Sequence, residues 1–263
     1  MRSRGLLLAV AFLFLAPPLA AQTIDLARVR VVDLTHPMDE RTLYWPTSPS
    51  AFELKELSHG MTEGGYFYAS YSFCTPEHGG THLDAPLHFA EKGRTAGEIP
   101  VSQLVGPAVV IDITRQSAAD SAYRLTVEDV RAHEREHGRI PEGAIVIART
   151  GWSRFWPDRK AYLGDDTPGD ASKLRFPGFS AEATKLLAEE RNAGALGIDT
   201  ASLDYGPSTD FMAHRVAAAA GVPNLENLTN LDQLPPRGAV VVALPVKIAH
   251  GSGAPVRVIA LVP

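Results

Sequence analysis

The chain of 263 residues holds one cysteine, Cys74, so no disulfide can form within it in any compartment. Cys74 reads as a small buried core residue, because its spacing to His78 is not distinctive of a metal ligand. Dense runs of lysine and arginine are missing, and the formal net charge is −5. A nucleic-acid partner needs a concentrated basic face, so that class is set aside. No Gly-x-Ser-x-Gly elbow occurs and Cys74 has no partner pattern, which leaves covalent serine and thiol mechanisms unsupported. Beyond the first residues no apolar stretch is long enough to span a bilayer.

What is present begins at the N-terminus. Arg2 and Arg4 precede the apolar run Leu6 to Ala16, followed by Pro17, Pro18, Ala20 and Ala21. A basic start, a short apolar core and a small-residue exit form a secretory signal peptide. Residues 1–21 are therefore expected to be removed and the protein exported, to a periplasm or outside the cell, with no membrane attachment afterwards. Residues 22–263 have the length and the 45% hydrophobic content of one globular domain.

Short β-branched runs predict strands at Val29–Leu34, Tyr66–Phe73, Val109–Ile113, Ala144–Ala148, Val240–Leu244 and Val256–Val262. Three helices are predicted. One is capped by Thr126 with Asp129 and stops at Gly138; one follows Ser180 through Ala181–Arg191 to Gly194; one follows Ser208, contains Phe211–Ala220 and stops at Gly221. Strands and helices intermix along the chain, giving an α/β class without the regular alternation of a doubly wound sheet. The Asp-, Pro- and Gly-rich stretch Trp156–Phe176 reads as a long surface loop with the character of a lid.

The stretch most informative for chemistry is His78-Gly79-Gly80-Thr81-His82-Leu83-Asp84-Ala85-Pro86-Leu87-His88-Phe89, in a chain with only 9 histidines. The paired glycines disfavour a helix, so a turn is expected to run into extended chain. Alternate residues of a strand share a face, which puts His82 beside Asp84. His78 can then reach in across the turn. Two imidazoles and one carboxylate suit zinc or manganese and leave the coordination shell open, as hydrolysis requires. His88, after the bend at Pro86, faces the same cavity without having to be a ligand.

Farther on, His214 shares a helical face with Phe211 and Ala218, and Glu226 follows in Gly221-Val222-Pro223-Asn224-Leu225-Glu226. Spacing alone leaves open whether either joins the metal. A competing pattern, His133-Glu134-Arg135-Glu136-His137, matches the H-E-x-x-H of zinc proteases. It lies on a mostly charged helix end, where histidines are explained by the helix dipole.

The block from His78 to Phe89 resembles the signature of the metal-dependent cyclase family, which includes bacterial kynurenine formamidases and isatin hydrolases. The likeness covers most of the mature chain. It extends to Asp33-Leu34-Thr35-His36-Pro37-Met38, Trp45-Pro46, Arg149-Thr150-Gly151-Trp152, Phe176-Pro177-Gly178-Phe179-Ser180, and the segments 197–206 and 247–257. Thr47 and His250 stand where that pattern has glycine.

The resemblance implies a swivelling β/α/β-type fold and a homodimer or homotetramer. It also implies one metal on His78, His82 and Asp84, with Asp84 bridging to a second metal held by His214 and Glu226. His88 corresponds to a general acid/base, used by some two-metal members as a ligand, and Trp45 to an aromatic substrate contact. The expected reaction is hydrolysis of a C–N amide bond in a small molecule, an aryl formamide such as N-formylkynurenine. An isatin-type cyclic amide is the alternative. An exported metal- or ligand-binding protein without turnover is the remaining one, and it calls for a closed metal shell with no cleft beside His88.

Overall fold

A computed structural model describes residues 28–263, so the expected leader, 1–21, lies outside the described residues. The strands are β1 (Arg30–Asp33), β2 (Glu53–Met61), β3 (Phe67–Cys74), β4 (His82–Asp84), β5 (Val105–Asp112), β6 (Arg124–Leu125), β7 (Ile145–Arg149), β8 (Gly178–Phe179), β9 (Ala195–Ile198), β10 (Asn224–Glu226), β11 (Arg237–Pro245) and β12 (Gly253–Val262). The helices are α1 (Val101–Leu104), α2 (Thr114–Ala119), α3 (Val127–His137), α4 (Arg159–Leu163), α5 (Ala181–Lys185) and α6 (Met212–Ala219).

Eight strands form one sheet in the order β1-β12-β11-β5-β7-β9-β10-β4, and β4 also pairs with β12. That extra pairing closes the sheet into a barrel-like ring, with β1 attached outside it along β12. The strands β5, β7, β9 and β10 run parallel, whereas β11, β12 and β4 are joined antiparallel. The α/β class and single domain expected from the sequence are what the chain adopts.

Alternation along the strands separates two cores. Ala108 and Val110 of β5 pack with Ile145, Ile147, Leu83, Leu225, Val241 and Val258 inside the ring. Their neighbours Val109 and Ile111 pack with Val146, Ala148 and the buried faces of α3, α5 and α6. Burying each Val, Leu or Ile contributes about 1.5–3 kcal/mol, so the fully buried Leu83 ties the short strand β4 into the ring.

The expected cap of α3 is present in full. The Thr126 hydroxyl accepts from the Asp129 amide at 3.1 Å, and the Asp129 carboxylate accepts from the Thr126 amide at 2.8 Å. After α5 the helix continues into a π-helical turn, Leu186–Glu190. Two expectations are corrected. Trp156–Phe176 is no loose lid: it contains α4, and Tyr162, Leu163, Leu174 and Phe176 are buried in a third core with Trp152 and Leu43. Apolar residues spread among its prolines and aspartates anchor it. Cys74 is exposed, because β3 belongs to a two-stranded ribbon with β2 and not to the core sheet.

Within α3, His133 is buried, and its Nε2 has no hydrogen-bond partner. Burial, with the His137 imidazole and the Arg237 guanidinium nearby, lowers its pKa to about 4. Below pH 6.5 the unfolded chain therefore takes up a proton that the folded chain refuses, and stability falls as pH drops from 6.5 towards 4. His133→Leu should lose about 1–2 kcal/mol less between pH 7 and pH 4.5 than the parent, measured by urea unfolding. Parallel losses in the two proteins would show that His133 contributes nothing to acid sensitivity.

Candidate metal centre and active site

The site lies at the seam where β4 closes the ring. Antiparallel pairing places His82 opposite Glu226 of β10, and Asp84 opposite Gly253 of β12. Leu83 points into the interior, so His82 and Asp84 share the opposite face, as period-two alternation requires. Gly80, with φ +58°, makes the turn that brings His78 back to them. Gly253 is glycine for a visible reason: a Cβ there would stand 2.6 Å from the Cε1 of His78. His214 enters from the first turn of α6.

Asp84 stands between two groups of donors. Its Oδ1 is 2.6 Å from His78 Nδ1 and 3.2 Å from His82 Nε2; its Oδ2 is 3.0 Å from His214 Nε2. Glu226 completes the second group, with Oε1 at 2.9 Å from His214 Nε2, and its Oε2 lies 3.5 Å from His82 Nε2. His78, His82 and Asp84 thus form one set able to hold a metal ion, and Asp84, His214 and Glu226 another. All five residues assigned from the sequence converge.

Each imidazole has its other nitrogen occupied. His82 Nδ1 donates to the Gly80 carbonyl at 3.0 Å, and His214 Nδ1 to Asp204 Oδ2 at 2.7 Å. His78 Nε2 meets the Ser252 hydroxyl at 2.8 Å, which donates to Glu77. Such outer partners fix ring orientation and aim the remaining nitrogen at the centre. Asp204 also accepts the backbone amides of Ala213 and His214, so it caps α6 while orienting the histidine. Asp204 lies in the segment 197–206, outside the ligand motif, and nothing in its local sequence marks it for this role.

The electrostatics call for a cation. Asp84 and Glu226 are both buried, and among the described residues no lysine or arginine lines the cavity. Burial alone would lower the His82 pKa, but Asp84 and Glu226 overcome it and raise it to about 9. Burial likewise opposes protonation of His214, and the charge of Glu226 with hydrogen bonds to Asp204, Asp84 and Glu226 drives its pKa well above the usual imidazole range. Two carboxylates holding protons on their neighbours are compensating charge that a divalent cation supplies directly. Three imidazoles and two carboxylates fit that role.

Above the carboxylates opens a cavity of about 260 Å³. Trp45, Phe89 and Phe211 line it with Tyr44, Leu43 and Leu163. The Phe211 ring centroid is 5.4 Å from that of Phe89 and 6.1 Å from that of Trp45. Phe211 itself sits at φ +52°, whereas the other non-glycine residues with positive φ among the described residues are Asn192, Asn227 and Asn230. Asparagine adopts this region readily and a bulky aromatic only at a cost, so strain is placed at the cavity wall.

His88, on the single turn Pro86–His88, also lines the cavity. Its ring stacks on His78 with centroids 3.8 Å apart, yet it belongs to neither donor set. Burial lowers its pKa to about 4. At pH 7 the His88 ring is therefore unprotonated and able to take up a proton. The H-E-x-x-H pattern forms no donor set among the described residues. His133 and His137 lie with ring centroids 4.7 Å apart on α3, away from the seam.

The family model described as putative cyclase matches residues 32–205. The isatin hydrolase of Roseibium aggregatum is 33% identical over 249 residues, 89% of this chain and 92% of that protein. The kynurenine formamidase of Sphingopyxis alaskensis is 30% identical over 230 residues, 88% and 97% of the two. Among solved structures, an isatin hydrolase bound to the product analogue thioisatinate superposes with a TM-score of 0.82 at 32% identity, over 90% of this chain and 94% of the other.

Proposed function

Because the chain belongs to the cyclase family of metal-dependent hydrolases, we propose that it hydrolyses a C–N bond joined to an aromatic ring. The substrate in this reading is N-formylkynurenine or a related aryl formamide. The observation that carries it is the pair of donor sets sharing Asp84 at the floor of an aromatic-walled cavity that His88 also lines. A binding protein without turnover would have no such cleft. The cyclic-amide reading draws support from the 33% identity to an isatin hydrolase and the 0.82 TM-score to another.

His78, His82 and Asp84 would hold one divalent ion, and Asp84, His214 and Glu226 a second; zinc suits the donors best, with manganese next. Bound there, the metal supplies Lewis-acid polarisation of the substrate carbonyl and activation of water. Trp45, Phe89 and Phe211 would hold the aromatic ring and exclude bulk water from it. His88, unprotonated at rest, accepts a proton from the attacking water and returns it to the leaving nitrogen as the C–N bond breaks. Export, resting on residues 1–21, and assembly as a homodimer or homotetramer belong to the same proposal.

The test is an assay of the mature chain on N-formylkynurenine, isatin and an acetylated peptide, with metal content measured before and after chelation. The reading predicts turnover of one of the first two, none of the peptide, and loss of turnover with the metal. Turnover that persists in fully demetallated protein would overturn it.

A further inference from the structure

Between the carboxyl end of β9 and the start of α6 the chain runs past the cavity, and Ser202 lines it from this connection. The connection is held at four points. The Thr200 carbonyl accepts the Asn227 amide at 2.9 Å, and the Thr200 hydroxyl donates to the Ser202 carbonyl at 3.0 Å. The Leu203 amide donates to Glu226 Oε1 at 2.6 Å, and the Leu203 carbonyl accepts the Phe179 amide at 2.7 Å. Ser202 therefore stands one residue from a direct contact with the second donor set, on backbone with little freedom to shift. It is 3% exposed, and a hydroxyl buried to this degree normally has a partner. Ser202 Oγ has none among the described residues. Ser117 Oγ is also unpartnered, but it is sealed from solvent, which Ser202 Oγ is not. Other polar groups around the cavity are engaged. Tyr44 pairs with Thr75, and the Asn227 side chain donates to the Gly80 carbonyl and accepts from Tyr162. Trp45 belongs to the aromatic wall through Phe176 and Phe211. His88 stacks on His78, beside the first donor set. Ser202 is thus an uncommitted hydroxyl on the Glu226 side, as His88 is an uncommitted base on the His78 side.

We propose that Ser202 is a further catalytic residue, whose hydroxyl donates a hydrogen bond to the oxygen of the scissile carbonyl as that oxygen gains charge. The assignment rests on the reading of the protein as an amide hydrolase. As the oxygen of the attacking water bonds to the carbonyl carbon, the C=O π pair moves onto oxygen and His88 takes the proton released. On collapse that pair re-forms the C=O bond, the C–N bond breaks, and the nitrogen leaves with the proton from His88. Ser202 keeps its own proton throughout. A donor fixed in a buried cavity needs no reorganisation when charge develops. Hydrogen bonds to a charged oxygen are about twice as strong as those to a neutral one. Ser202 therefore stabilises the transition state more than the bound amide, and its contribution falls on kcat.

Ser202→Ala removes the hydroxyl without adding bulk. In the metal-loaded mature chain, on whichever of N-formylkynurenine and isatin the parent hydrolyses, kcat should fall about a hundredfold, the low end of the loss on removing one such donor. KM and metal content should stay at the parent's values. Binding gives a second readout that needs no turnover. 2,2,2-Trifluoroacetophenone offers a tetrahedral, ionisable oxygen as its hydrate, whereas acetophenone offers a planar ketone. Calorimetry should show Ser202→Ala weakening the first by about ten- to a hundredfold, the worth of one hydrogen bond to a charged oxygen, and leaving the second unchanged. A normal kcat would overturn the proposal. A raised KM at unchanged kcat, or equal weakening of both ketones, would overturn it by making Ser202 an anchor for the bound substrate. Loss of metal from the variant would overturn it in favour of a structural role. A parent that hydrolyses neither amide would remove the functional reading and this assignment with it, whereas an active parent beside an unimpaired variant would sink this assignment alone.

Discussion

Asp84→Asn should abolish metal binding at one donor set, weaken it at the other, and lower kcat/KM on the preferred amide by about a thousandfold or more. The two oxygens of Asp84 serve different sets, Oδ1 facing His78 and His82 and Oδ2 facing His214. Asparagine keeps one acceptor and replaces the other with an NH2 donor. Whichever way the amide turns, one set faces an N–H where it needs a lone pair, and the buried cluster loses a negative charge. Polarisation of the carbonyl and activation of water are worth several kcal/mol in hydrolytic metal sites, and each 1.4 kcal/mol is tenfold in rate. The substitution is nearly isosteric, so the fold should hold and the loss should show in elemental analysis of the purified protein. A variant with full metal content and more than a tenth of the parent activity would remove Asp84 from the centre of the mechanism.

His88→Ala separates proton transfer from metal binding. His88 lines the cavity yet stands outside both donor sets, so metal content should stay near that of the parent. Turnover should fall by about a hundred- to ten-thousandfold, the usual worth of a positioned acid/base group. KM should change far less than kcat, because the aromatic wall of Trp45, Phe89 and Phe211 is untouched. Added imidazole should restore part of the rate by entering the vacated space. Near-normal turnover would rule out the proton-transfer role. Loss of metal would instead make His88 a ligand, the use some two-metal relatives were expected to make of it.

The local chemistry of the site was legible because short-range rules govern it. Two glycines before His82 force a turn, and alternation along a strand sets His82 and Asp84 on one face. The Thr126 cap and the β-branched runs were legible for the same reason: backbone sterics and hydrogen bonding act over a few residues. Cys74 was not. A small apolar residue ending a strand looks like core, and only the pairing of β3 with β2, away from the main sheet, leaves it exposed. Trp156–Phe176 misled in the opposite direction: its prolines, glycines and aspartates signal a loop, while Tyr162 and Phe176 anchor a third core.

The division has a physical basis. By itself the sequence determined the helical and extended segments, the turn that gathers His78, His82 and Asp84, and the absence of a disulfide within the chain. The tertiary structure alone decided that His214, 130 positions from Asp84, reaches its second oxygen. It alone also placed Asp204 behind that histidine and Glu226 opposite His82. Those meetings depend on β4 closing the ring between β10 and β12, a long-range pairing set by how the whole sheet buries its apolar faces, and no local propensity encodes it.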